Sequence, residues 1–233
     1  GFPLNLSPVV DGRSLPIQPF DPVAPEISAT VPMLIGTTRT ETTFLLGSDP
    51  SNFALDDATM RQKLQQFVGV AGADLDKLIA VYRKDNPSAS PSDLFFLITT
   101  DRMTRMRAIT QAERKAVQGK APAYMYLFAW ETPVLGGKLK SPHGIENDFV
   151  FGRAGASPAT ASGPGRKTLA DQVSGAWTAF AHTGDPNHMS LPHWQPYSES
   201  ERATMVLDVR SRLEKDPGRG ERLAQAGLAH PRT

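Results

Sequence analysis

Two apolar runs lie far apart in the sequence, and each is followed by a residue able to hold or move a proton. That pairing constrains what the chain can build. The later run, Tyr124-Met-Tyr-Leu-Phe-Ala-Trp130, is apolar at almost every position and reads as a buried strand. Beyond it, past the turn Gly136-Gly-Lys-Leu-Lys140, comes Lys140-Ser-Pro-His143-Gly-Ile-Glu146-Asn-Asp148-Phe149-Val-Phe151-Gly152. A histidine in a glycine-bearing loop just past a strand can present its imidazole to a cleft. Carboxylates such as Glu146 and Asp148 stabilise an imidazolium, and an apolar wall such as Phe149 and Phe151 lowers the local dielectric. Both effects tune a histidine for proton transfer near neutral pH. The earlier run, Val31-Pro-Met-Leu-Ile-Gly36, fits a short strand buried on both faces, and Glu41 lies five residues past Gly36. From the residues alone, His143 reads first as an ordinary loop histidine and Glu41 as a solvated acid.

Composition narrows the class. The 233 residues suffice for one sizeable domain or for part of a larger one. With 39% hydrophobic and 21% charged residues, the chain suits a globular protein in water. A net charge of +1 leaves no electrostatic footprint for nucleic acid. No apolar run approaches the ~20 residues of a membrane span. The start, Gly1-Phe-Pro-Leu-Asn, lacks the basic region and apolar core of a signal peptide, and it lacks a Met; a chain that begins in mid-protein is expected. The compartment stays open. The absence of cysteine removes disulfides, a thiolate nucleophile and cysteine-based zinc sites.

Along the chain, residues 1–30 are Pro-rich and read as loop with short strand pieces. Residues 55–119 read as helical. Asp56-Asp57 opens a helix through Met60 and Phe67, Ala73 to Tyr82 forms another, and Ser90-Pro91-Ser92-Asp93 starts a third that runs toward Gly119. Its Met and Phe residues read as packing. Gly152 to Gly165 reads as a flexible loop. Thr168 to His182 is an amphipathic helix with Leu169, Val173, Ala176, Trp177 and Phe180 on one face, ended by Gly184. Trp194 to Tyr197 fits a surface turn, Thr204 to Leu207 a final short strand, and the tail from Lys215 a charged periphery. Other signals fail. Neither Gly12-Arg-Ser14-Leu-Pro16 nor Gly155-Ala-Ser157-Pro-Ala is a G-x-S-x-G nucleophile turn, and none occurs anywhere. Gly163-Pro-Gly-Arg-Lys167 lacks the Gly-Lys adjacency of a phosphate loop. His182, His188 and His193, near Asp185, are spaced irregularly for a metal. Neither a metal nor a cofactor is expected.

A strand followed by an acid, then a strand followed by a histidine, is the later part of the order Ser…Asp/Glu…His found in α/β-hydrolases. The pieces Pro8-Val-Val-Asp-Gly12, Val31 to Leu46, Tyr126 to Trp130, His143-Gly-Ile-Glu146 to Phe151-Gly152, and Ala176-Trp177 to Asp185-Pro186-Asn187 resemble the type-B carboxylesterase/cholinesterase family, in that family's order. The resemblance covers the family's C-terminal half. It implies an α/β class chain, with residues 1–233 forming the C-terminal portion of one α/β-hydrolase domain: the last sheet strands plus a helical insertion at about 55–119, incomplete without the N-terminal half. It also implies hydrolysis of a small-molecule carboxylic ester through an acyl-enzyme. Glu41 would be the triad acid, although Thr42 stands where the family usually has Gly. His143 would be the base and Glu146 a buried, hydrogen-bonded support. The nucleophilic serine and oxyanion hole would come from the N-terminal half as a partner. The competing expectation is a non-catalytic binding or adhesion module of the same fold.

Overall fold

The computed structural model describes residues 8–228. Residues 1–7 and 229–233, at the outer ends of the expected extended start and charged tail, lie outside the described residues. Four strands form one sheet in chain order: β1 (Met33–Thr38), β2 (Ala123–Phe128), β3 (Ala203–Leu207) and β4 (Arg212–Lys215). The first three are parallel and β4 is antiparallel to β3. Parallel neighbours need long crossovers, and here these are helical. Between β1 and β2 come α1 (Thr42–Leu45), α2 (Asp57–Val68), α3 (Gly72–Asp85), α4 (Pro91–Thr100), a π-helical turn (Asp101–Arg105) and α5 (Met106–Gln118). Between β2 and β3 come α6 (Glu146–Val150) and α7 (Arg166–Thr183). A last helix, α8 (Arg219–Ala226), follows β4.

Helices cover both faces of the sheet. Tyr124 and Phe128 of β2, with Met205 and Leu207 of β3, pack against Leu169, Val173 and Ala176 of α7. Ala123 and Met125 face Ala108, Ile109 and Ala112 of α5 on the other side. Burial on both faces is why these strands read as nearly continuous apolar runs. Although the sequence places α5 in the helical insertion, it packs on the sheet. Helices α2–α4 build a separate core around Met60, Leu64, Leu78, Tyr82, Leu94 and Ile98. Their starts are legible in the sequence. Asp56 accepts the Thr59 N–H at 2.7 Å, and Ser90 and Asp93 form a capping box with Pro91 inside it.

Several expectations need correction. The first strand does not close at Gly36 but runs on to Thr38. A Cβ at Gly36 would lie 2.3 Å from the Tyr126 carbonyl oxygen and 2.5 Å from its ring, so the glycine marks the close approach of β2. From Pro8 to Pro32 no strand forms; the segment has one 3-10 turn at Glu26–Ser28. The loop after Gly152 is pinned, because Ser157 and Thr160 donate to Asp148 and Trp130 Nε1 donates to Pro164 O. Trp194 and Tyr197 are buried, so that turn faces inward.

The largest difference is the tail. Far from peripheral, residues 212–226 supply β4 and α8, and α8 docks through a buried polar network. Tyr82 OH donates to Asp101 Oδ2 at 2.6 Å. Arg105 Nη1 lies 2.9 Å from Asp101 and 3.5 Å from Glu221. Asn86 Nδ2 donates to Glu221 at 2.7 Å, and Gln225 Nε2 donates to Tyr82 OH at 3.0 Å. Burial works against the Arg105 charge, yet Asp101 and Glu221 outweigh it and hold the guanidinium pKa above its ordinary value. Burial pushes the Glu221 carboxyl up, and the Asp101 charge adds to that push.

Candidate active site

The site forms where the chain leaves the C-terminal ends of β1 and β2. Pairing of Thr38 with Phe128 brings both exits side by side, and the Arg39 N–H extends the ladder to Phe128 O at 2.9 Å. Past Thr38 the backbone turns through Arg39 and Thr40 into α1, with Glu41 at the cap. Past β2, the segment from Trp130 to Lys140 closes on itself through Thr132 N–H to Lys140 O at 2.9 Å, delivering Ser141 beside the acid turn. Hydrogen bonds then tie this loop to the acid turn and to the end of β2. Thr40 N–H donates to Ser141 O at 3.1 Å, Ser141 N–H to Thr40 Oγ1 at 2.9 Å, and Ser141 Oγ to Phe128 O at 2.8 Å. Thr43 Oγ1, 2.7 Å from Leu139 O, adds a fourth tie.

Two residues beyond Ser141, His143 meets Glu41 across 102 positions of sequence, with Nδ1 2.6 Å from Glu41 Oε2. The other carboxylate oxygen, Oε1, accepts the Thr38 N–H at 2.8 Å. Both oxygens of a buried acid (side chain 6% exposed) are therefore engaged, which fixes its orientation. The imidazole itself is 54% exposed. Among the described residues no hydrogen bond involves its Nε2. With Nδ1–H donating to Glu41, Nε2 carries the acceptor lone pair. Phe44 stands alongside, ring centroids 6.4 Å apart.

Of the four residues behind His143, only Glu146 faces the pair. It begins α6 half-buried, and its Oε2 is buried with no hydrogen-bond partner among the described residues. The support expected to be hydrogen-bonded is thus unpaired at that oxygen. Burial pushes the Glu146 carboxyl up, and the Glu41 charge adds to this while His143 opposes it. Tyr126 lies in the same field: burial raises its phenol, and the Glu146 and Glu41 charges raise it further. Asp148 turns away to accept from Ser157 at 2.5 Å and Thr160 at 2.6 Å. Burial opposes its ionisation, but these hydroxyls and Arg153 outweigh it and lower the pKa. Phe149 is fully buried against Phe128 and Trp130, whereas Phe151 is 69% exposed; neither walls the imidazole as expected.

The remaining candidates sit elsewhere. His188 packs on Gly175 with Nε2 2.9 Å from Gln172 O. Among the described residues no three His, Cys, Asp or Glu converge as metal ligands, and no helix is long and apolar enough to cross a membrane. A cleft of about 530 Å³ opens behind the acid turn, lined by Arg39, Thr40, Thr43, Phe96 and Trp130, but neither Glu41 nor His143 lines it. Sequence reasoning missed Thr40, Thr43, Ser141 and Tyr126 as neighbours of the pair. The signal for the first two was present in the hydroxyl-rich run Thr37-Thr-Arg-Thr-Glu-Thr-Thr43.

Comparison with known proteins identifies the family. The pattern of the Carboxylesterase family matches residues 2–224. The para-nitrobenzyl esterase of Bacillus subtilis (strain 168) is 30% identical over 93% of the chain, and the liver carboxylesterase of Sus scrofa is 29% identical over 84%. A crystal structure of a Geobacillus stearothermophilus carboxylesterase superposes with a TM-score of 0.77 at 33% identity, over 94% of this chain. The chain spans 42% of the Bacillus enzyme's length, 36% of the liver enzyme's and 45% of the Geobacillus chain. The four-stranded sheet with helices on both faces is accordingly part of an α/β-hydrolase fold, and the chain belongs to the carboxylesterase family.

Proposed function

We infer that Glu41 and His143 are the acid and base of a Ser-Glu-His triad in a carboxylic-ester hydrolase. The observation that carries this is the 2.6 Å contact between His143 Nδ1 and the buried Glu41 carboxylate, on a half-exposed ring whose Nε2 makes no hydrogen bond among the described residues. A serine hydroxyl is a weak nucleophile until a base removes its proton. Here Nε2 takes that proton as the serine oxygen adds to the ester carbonyl. Glu41 holds the Nδ1–H tautomer and stabilises the imidazolium that results. The imidazolium then gives its proton to the departing alkoxide, leaving an acyl-enzyme and an alcohol. In the second half, Nε2 takes a proton from water, the hydroxide adds to the acyl carbon, and the serine leaves with the proton returned. Glu146 supports the pair from behind without touching substrate.

The sequence holds no G-x-S-x-G turn, so the serine and the oxyanion hole are assigned to an N-terminal half that acts as the chain's partner. The relatives, a para-nitrobenzyl esterase among them, direct the choice of substrates. The test is hydrolysis of p-nitrophenyl acetate and butyrate by this chain alone and with the N-terminal half supplied, each beside His143→Ala. Activity confined to the combined sample and abolished by the substitution is expected. A folded combined sample with no activity would overturn the assignment and favour a binding module.

A further inference from the structure

We propose that Thr42 is a positioning residue, which locks the acid turn onto helix α4 and so sets how Glu41 meets His143. The proposal rests on Glu41 being the triad acid. Thr42 follows Glu41 directly, at a position where the family resemblance leads one to expect glycine. A glycine there could make no side-chain contact. Thr42 is instead fully buried, and its hydroxyl lies 2.9 Å from Phe96 O, 2.8 Å from Thr99 Oγ1 and 3.0 Å from Thr100 Oγ1. Its backbone N–H donates to Thr100 Oγ1 at 3.2 Å. Thr99 and Thr100 are fully buried too, and Thr99 Oγ1 reaches Phe95 O at 2.8 Å.

Each hydroxyl has one proton to give, and one assignment uses all three. Thr99 donates to the Phe95 carbonyl, Thr42 donates to the Phe96 carbonyl, and Thr100 donates to Thr42. The relay ends on the backbone of α4, a helix with its own capped start and packed core. Glu41 is therefore held from both sides. Thr40 ties it to the loop that carries His143, and Thr42 ties it to α4. A carboxylate on a two-anchor turn has little freedom to swing away from Nδ1. Geometry kept by packed neighbours is how an acid of this kind stays oriented.

The test is nitrogen-15 NMR of the His143 ring in the 233-residue chain, in alkaline buffer, where the ring shifts report the two neutral tautomers. Glu41 accepting from Nδ1 favours the Nδ1–H form. Glu41→Ala is the reference and should shift the population toward Nε2–H. Thr42→Val keeps the shape and removes the hydroxyl. It should raise the Nε2–H population by about twofold or more, the factor that goes with losing one net hydrogen bond. Thr42→Ser should restore the wild-type ratio. Thr100→Val cuts the same relay from the α4 side and decides the matter if Thr42→Val does not fold. Wild-type ratios in both valine variants, with Glu41→Ala shifted, would overturn the Thr42 role and leave the triad assignment standing. An unshifted Glu41→Ala would instead remove the Glu41–His143 bond and both proposals with it.

Discussion

Arg105→Met should be among the most damaging single changes outside the site. The guanidinium is 8% exposed and compensates two buried carboxylates, Asp101 at 2.9 Å and Glu221 at 3.5 Å; it also donates to Pro217 O. Methionine fills much of the volume but leaves the two acids facing each other without a cation. Breaking a buried pair from one side costs about 3–5 kcal/mol, and for a chain of this length that lowers Tm by roughly 6–20 °C. The sign of the pH dependence follows from Glu221, whose carboxyl is already raised by burial. A raised acid costs the fold stability as pH climbs from the ordinary carboxylate range through its folded-state value. Removing Arg105 raises it further, so the loss should be largest in mildly alkaline buffer and shrink toward pH 5. Thermal unfolding of wild type and variant across that range is the assay. A loss under about 1 kcal/mol at pH 8, in the range of a surface pair, would refute the network as the anchor of α8.

Other outcomes follow from single residues. Glu146→Gln should make the chain more stable in neutral buffer and flatten its stability profile. Wild type must ionise a buried oxygen with no partner as pH rises through the raised value, and glutamine need not; denaturant titrations from pH 4.5 to 8 would show it, and a variant less stable at pH 8 would contradict it. Gly36→Ala should cost about 3 kcal/mol or more, because its Cβ would meet the Tyr126 backbone, which cannot move without opening the β1–β2 ladder; the denaturation midpoint reads this directly. Ser90→Ala removes the hydroxyl half of the α4 capping box and should cost about 1 kcal/mol without altering the His143 ring signals.

Local chemistry carried much of this structure into view. Capping residues such as Asp56 and Ser90, and apolar runs such as Tyr124 to Trp130, act over a few positions, so a linear reading recovers them. The Glu41 and His143 candidates came from motif order, since their contact spans 102 positions and needs the Thr38–Phe128 register to form. What escaped was set by distant partners. Hydropathy reads Glu221 as surface, yet it is buried because Arg105 and Asn86 wait for it far upstream. Gly36 reads as a strand end until Tyr126 is seen lying over it. Phe149 and Asp148 read as neighbours of His143 by adjacency, but a short helix turns one into the core and the other toward Ser157.

The central claim is that His143 acts as base while Glu41 holds it. The most direct measurement is kcat and KM for p-nitrophenyl butyrate in the combined sample, comparing wild type with Glu41→Gln. The amide keeps the shape and the Thr38 contact but no longer stabilises an imidazolium. A fall in kcat of about a thousandfold or more with KM little changed is predicted. A folded Glu41→Gln sample that keeps more than about a tenth of wild-type kcat would contradict it, because an acid that matters only to packing could lose its charge at that small a cost.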